Sequence, residues 1–136
     1  MESLIPKQEK KIITDAYEAQ TWKVALLIST FTYNHTTHYT YASVAGSELP
    51  TAGGYTIEGA TLAGKASSYV DSTTVMLDAT DLSWGPGATF SNVKYAVAYD
   101  TDTGLIKAIY EFAAIQSVSN GTFTIVWHAN GLIRIA

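Results

Sequence analysis

Apolar and polar residues alternate along the last third of the chain, residues 88–136. Two runs with a period of two residues flank the polar segment 100–104; they are Val93-Tyr95-Val97-Tyr99 and Ile106-Ala108-Tyr110-Phe112. The pairs Asn120-Gly121 and Asn130-Gly131 each precede a further apolar run. Alternation of this kind, interrupted by Asn-Gly, is typical of antiparallel strands joined by tight turns. The pattern predicts consecutive β-strands to the end of the chain.

Earlier segments of the chain also have strand patterns. Val24-Ala25-Leu26-Leu27-Ile28 is apolar at every position, which predicts a strand over residues 22–33 that is covered on both faces. Residues 57–66 and 73–79 are further strand candidates. The Thr-, Tyr- and Gly-rich stretch 34–54 predicts a long exposed loop region with short strands, and residues 81–87 predict a loop anchored by Trp84.

One segment has helical spacing instead. Pro6 suits a first helical turn, and residues 6–18 carry a narrow apolar stripe made of Ile12, Ile13, Ala16 and Tyr17. A single short helix is not stable alone, so the stripe is expected to dock on its own β-domain or on a partner, and the first is the favoured interpretation. We therefore expect an N-terminal helical arm, residues 1–20, before a single β-domain, residues 21–136.

These elements predict the fold class. Seven or eight short strands without a second helical pattern indicate a mainly β protein, an antiparallel β-sandwich or jelly-roll with one short N-terminal amphipathic helix. A chain of 136 residues with 47% hydrophobic and 15% charged residues is long and apolar enough to bury a core.

Composition narrows the classes of function. The chain has 12 acidic residues against 8 basic ones, and Arg134 is its single arginine, which disfavours nucleic acid as a partner. It has no cysteine, so thiolate catalysis and disulfides are excluded. No segment is long and apolar enough to predict a membrane span, and the first residues lack a signal-peptide pattern, so synthesis in the cytoplasm is expected.

Three groups of residues are candidate chemical sites. His35 and His38 have a spacing that could hold a metal on a helix, but they lie in a Thr/Tyr-rich stretch, which favours a surface loop. The segment Asp100-Thr101-Asp102-Thr103-Gly104 resembles the opening of a calcium loop, but the downstream acid is missing and a tight strand connection is favoured. The carboxylates Asp71, Asp78 and Asp81 have no diagnostic spacing. We expect no enzyme activity, no metal and no cofactor.

The loop tyrosines are candidates for contact with a partner. Exposed tyrosine gives contact area at low entropic cost, and several tyrosines lie in or beside predicted loops: Tyr33, Tyr39, Tyr41, Tyr55 and Tyr69. They could cap the ends of the sandwich, form a protein interface or line a sugar site. The candidate partner-binding residues are Ile12, Ile13, Tyr17, Tyr39 and Tyr41.

An ordered set of short motifs covers nearly the whole chain and is densest after residue 82. The motifs are Lys23-Val24-Ala25-Leu26-Leu27, Ala52-Gly53-Gly54-Tyr55, Leu82-Ser83-Trp84, Ala88-Thr89-Phe90, Tyr95-Ala96-Val97-Ala98-Tyr99, Asn120-Gly121-Thr122-Phe123-Thr124 and Leu132-Ile133-Arg134-Ile135-Ala136. In this order they resemble a widespread group of small bacteriophage structural proteins. Residues 110–117 depart from that group, which often has a glycine near the end of this strand.

The resemblance implies a non-enzymatic virion component made in a bacterial host. Among such components, a capsid decoration (cement) or head-fibre protein is the favoured interpretation. We expect it to bind other virion proteins, either the major capsid protein or tail and neck proteins, through its N-terminal segment, and to form a homo-oligomer, preferably a trimer. A tail-associated or neck protein and a carbohydrate-binding, adhesin-like β-sandwich are the alternatives. Neither nucleic acid nor a membrane is an expected partner.

Overall fold

The computed structural model describes residues 4–136, so the first three residues of the predicted arm lie outside the described part. Within that part the chain forms two compact units, which are described separately below. The first unit comprises the residues up to Gln20 together with Leu62–Asp81 and Val126–Ala136, and the second comprises Thr21–Thr61 and Leu82–Ile125.

The first unit holds a helix and a small sheet. Helix α1 is Lys7–Ala19, and the strands are β3 (Ala66–Tyr69), β4 (Val75–Asp78) and β7 (Ile133–Ile135). The sheet order is β3-β4-β7 and both pairings are antiparallel. Its core includes Val75 and Leu77, which are fully buried because they alternate onto the same face of β4.

Helix α1 docks on its own unit through a polar face, not through the predicted apolar stripe. Among the described residues of α1, Thr14 alone is buried, whereas Ile12 is 59% and Ile13 43% exposed. Thr14 Oγ1 lies 2.6 Å from Ser67 Oγ of β3 in a shared hydrogen bond. Lys10 Nζ donates to the Thr73 carbonyl at 2.7 Å. The helix thus docks on its own unit, as favoured, but Ile12 and Ile13 of the predicted stripe stay exposed, because Ser67 and the Thr73 carbonyl bind polar side chains on another face of the helix. Tyr17, the last residue of the stripe, is half-buried.

The second unit holds the larger sheet. Its strands are β1 (Trp22–Ile28), β2 (Ala60–Thr61), β5 (Leu82–Asp100) and β6 (Ile106–Ile125). They are antiparallel in the order β2-β1-β5-β6. Residues 24–27 of β1 are all fully buried, as expected for a strand covered on both faces. A core cluster of Ala25, Leu27, Phe31, Val44, Val97 and Tyr99 lies in this unit.

Several predicted boundaries are wrong. β1 ends at Ile28 instead of continuing to residue 33, and the stretch 34–54 contains a short helix, α2 (Tyr41–Val44), followed by a 3₁₀ turn (Ala45–Ser47), where short strands were expected. The segment 57–66 contributes only the two residues of β2 and the first residue of β3.

The two longest strands absorb segments that were predicted to be loops and turns. Residues 82–87 of the predicted loop belong to β5, and Asn120-Gly121, predicted to be a turn, lies inside β6. The pairing shifts register between Trp84 and Ala88 and again between Ala88 and Phe90, opposite Gly121 and Val118. Asn120 has φ +47°, a left-handed conformation that fits a β-bulge as well as a turn. The Gly- and Asn-containing segments of β5 and β6 therefore interrupt the strand pairing locally but do not end either strand.

The fold class is confirmed: the protein is mainly β, with two antiparallel sheets and one N-terminal helix, consistent with a β-sandwich. The jelly-roll connection and the division into an arm and one domain remain predictions. No helix among the described residues is long and apolar enough to cross a membrane.

Candidate functional site

A cavity of about 510 Å³ opens in the second unit, beside the turn that joins β5 to β6. Four separate parts of the chain supply its walls: β1, the segment around α2, the turn before β2 and the turn after β5. The polar and aromatic side chains of its lining include Lys23, Tyr41, Glu58, Tyr99, Thr101 and Thr103. The cavity has the size of ordinary small-ligand pockets.

Glu48 organises the wall behind the cavity. Its Oε1 accepts a hydrogen bond from the Tyr55 hydroxyl at 2.6 Å and another from the Glu58 backbone N–H at 2.7 Å, and its Oε2 accepts one from the Tyr41 hydroxyl. The Tyr55 hydroxyl also accepts from the Leu26 N–H, at 2.9 Å. One carboxylate thus ties α2 and the turn before β2 to the buried strand β1.

Two stacked tyrosines form the aromatic part of the lining. The ring centroids of Tyr41 and Tyr99 are 4.5 Å apart, with an interplanar angle of 18°. The Tyr99 hydroxyl donates to the Glu58 carbonyl at 2.6 Å. Burial raises the pKa of both phenols well above the ordinary value, and the hydrogen bond from Tyr41 to Glu48 adds to the rise in the pKa of Tyr41. Both tyrosines therefore stay neutral throughout the physiological pH range.

Glu58 and Lys23 form an ion pair in the lining of the cavity. Lys23 Nζ lies 3.6 Å from Glu58 Oε2, an ion pair that is longer than a hydrogen bond. Their side chains are 31% and 59% exposed, so the pair itself contributes little to stability. Glu58 has φ +76°, in the third position of a turn closed by the Gly59 N–H on the Thr56 carbonyl. Gly or Asn is preferred at such a position.

The turn after β5 forms the remaining wall. Asp100 is 3% exposed, and its carboxylate accepts hydrogen bonds from the Asp102 N–H at 3.1 Å and the Thr103 hydroxyl at 2.9 Å. These oxygens thus close the strand connection. Within residues 4–136, no three His, Asp or Glu side chains are grouped so that they could hold a metal ion.

A second cavity of about 340 Å³ lies elsewhere in the same unit and includes Tyr33, His35, His38, Tyr39 and Glu111 in its lining. His38 Nδ1 accepts a hydrogen bond from the Asn34 N–H at 2.9 Å, and its ring packs 5.0 Å from that of Phe31. His38 therefore holds its loop in place.

The candidate partner-binding residues fall in three places. Tyr41 lines the first cavity and Tyr39, 61% exposed, lines the second. Ile12 and Ile13 lie on the exposed face of α1, and Tyr17 is half-buried on the same helix. The structure brings Tyr41 together with Lys23, Glu48 and Glu58, which the sequence did not single out. Nothing in the residue pattern predicts that Glu58 adopts a left-handed conformation.

Comparisons were made with protein-family models, with curated proteins and with solved structures. None gave a match.

Proposed function

We propose that the protein is a non-enzymatic structural component of a bacteriophage virion, a capsid decoration or head-fibre protein that attaches through its N-terminal segment. The motif order described above points to this class. The observation that carries the proposal is the outward-facing apolar side of α1.

The exposed apolar side of α1 has the properties of a contact surface. Ile12 is 59% and Ile13 43% exposed, while the polar side of the same helix packs on its own unit. Ile5, just before the helix, is 60% exposed. An amphipathic helix ordinarily buries its apolar side. This arrangement leaves Ile12 and Ile13 exposed to a partner, and the major capsid protein is the partner that we propose.

The energy of this contact favours an oligomer. Burying the exposed parts of Ile12 and Ile13 is worth about 2 kcal/mol per copy, too little for stable attachment by a single chain. A symmetric homo-oligomer would present several such helices to one shell and multiply weak contacts into strong attachment. We propose a trimer, by analogy with other virion fibre and cement proteins.

The experiment is an incorporation assay. Particles that lack the protein are incubated with purified wild-type chain or with the double variant Ile12→Lys/Ile13→Lys, and bound protein is quantified after sedimentation. Because the variant places two charges in the apolar contact, we expect its binding to weaken at least about tenfold.

The control is Glu18→Lys, which changes the net charge by the same amount at an exposed position of the same helix. It should bind as the wild type does. Equal binding of the double variant would contradict attachment through α1, and failure of the wild-type chain to bind any particle would contradict the virion role.

A further inference from the structure

We propose that the cavity lined by Lys23 and Glu58 is a binding site for a neutral sugar, recognised through a pair of vicinal hydroxyls. This inference goes beyond the proposed virion role and does not depend on it, because it concerns the free chain.

The Lys23–Glu58 pair suits a vicinal diol. At 3.6 Å the ammonium and the carboxylate are not hydrogen-bonded to each other, so each keeps donors or acceptors for a third group. A sugar hydroxyl both donates and accepts. One hydroxyl can accept from Lys23 while its neighbour donates to Glu58, which satisfies both charges without separating them further.

The rest of the lining fits the same ligand. Lys23 and Glu58 are the only charged side chains in the described lining, so their charges balance and an anionic sugar gains no net attraction. Tyr41 supplies an aromatic surface for the apolar C–H groups of a sugar ring, and Thr101 and Thr103 add polar groups at the rim. A few polar groups beside an aromatic surface are typical of small-ligand sites.

The backbone conformation of Glu58 also supports a ligand site. Its φ of +76° is unfavourable for a residue with a side chain. The hydrogen bonds that hold this turn use the backbone of Glu58: its N–H donates to Glu48 and its carbonyl accepts from Tyr99. Among the described residues, the one ion pair of the carboxylate is the long, exposed pair with Lys23, and its charge also adds to the rise in the pKa of Tyr99. The side chain thus stabilises the fold little, and strained residues of this kind concentrate at ligand sites.

The test is an NMR titration of the full ¹⁵N-labelled chain with the methyl glycosides of glucose, galactose and mannose. We expect at least one of them to shift the amide signals of residues 56–59 and 101–104 in a saturable way, with a dissociation constant of about 1–10 mM. A per-O-methylated glucoside, which has the ring but no hydroxyl donors, should not bind.

Two variants assign the site. Glu58→Asn keeps a residue that tolerates positive φ but removes the charge, and Lys23→Gln removes the cation; each should weaken binding about tenfold or more. Asn120→Gly, at another positive-φ position outside the cavity, should bind as the wild type does. Absence of saturable shifts with all three sugars, equal binding by both cavity variants, or equal binding of the methylated compound would overturn the proposal. None of these results would alter the outcome of the incorporation assay, so the two proposals fail separately.

Discussion

Replacing Gly59 with alanine tests the packing that holds the turn before β2 against β1. Gly59 has φ +82°, and a Cβ added there would lie 1.9 Å from the Val24 carbonyl oxygen and 2.8 Å from Ala25 Cα. Both contacts are with the backbone of a buried strand, which cannot move aside cheaply. Gly104 provides the matched control: its φ is +74°, but a Cβ there would meet no described atom within 4 Å.

The magnitude follows from the difference between the two sites. Both substitutions incur about 1–2 kcal/mol for the left-handed conformation and regain about 0.4–1 kcal/mol from the lower entropy of the unfolded chain. Gly59→Ala adds the penalty for forcing atoms into a packed region, typically 1–3 kcal/mol. We expect Gly59→Ala to lower the free energy of unfolding by about 2–4 kcal/mol, and Gly104→Ala by about 1 kcal/mol or less.

Urea denaturation followed by circular dichroism and by tryptophan fluorescence measures both values. The midpoints should differ between the variants while the slopes with denaturant concentration stay equal, which shows that stability alone has changed. Equal losses of stability in the two variants would refute the close approach of Gly59 to β1.

Three further predictions concern single side chains. Thr14→Val should lower the free energy of unfolding by about 1 kcal/mol, because it removes the hydrogen bond to Ser67, whereas Ile13→Ser should change it by less than about 0.5 kcal/mol. Thermal unfolding measures both variants, and a larger loss of stability in Ile13→Ser than in Thr14→Val would contradict the exposure of Ile13. Asp71→Asn should lower the melting temperature at pH 7 and have a progressively smaller effect at acidic pH. Hydrogen bonds from the backbone of Thr73 and Thr74 hold the pKa of the Asp71 carboxyl below its ordinary value of 3.8, so its contribution to stability is present above pH 3.8 and is lost as the pH falls through the pKa of the folded state. A difference in melting temperature that stays constant at all pH values would contradict this. Burial raises the pKa of the Tyr55 phenol above its ordinary value of 10.0, so the contribution of this group to stability is complete below pH 10.0 and is lost above it. The wild type should therefore lose stability more steeply above pH 10.0 than Tyr55→Phe does. Parallel curves of stability against pH would contradict the burial of this phenol.

The sequence predicted the type of fold better than the ends of its elements. The helix over residues 6–18 and the buried strand that begins at Trp22 follow from strong local patterns, and the structure has them within a few residues. The turn predicted at Asn120-Gly121 is wrong because a left-handed residue occurs both in tight turns and in β-bulges, and the local sequence does not distinguish the two. Which of the two forms depends on the partner strand, here β5.

The orientation of α1 and the candidate sugar site cannot be predicted from local sequence patterns, because both depend on residues that are distant in the sequence. Helical spacing predicts the apolar stripe of α1, but the exposure of Ile12 and Ile13 depends on Ser67 and Thr73, which lie far away in the sequence and bind another face of the helix. Likewise, Lys23 and Glu58 come together only through the pairing of β1 with β2. Tyr41, which was a candidate from the sequence, lies in the same cavity.

We propose that this chain is a component of a virion, attached through α1. Reconstruction of purified particles by electron cryo-microscopy, together with quantitative mass spectrometry of the same particles, tests it most directly. We expect a fixed copy number per particle and density for the chain on the outer surface, with Ile12 and Ile13 of α1 against the shell and copies related by a symmetry axis. Absence of the chain from particles whose other components are all identified would contradict a virion role.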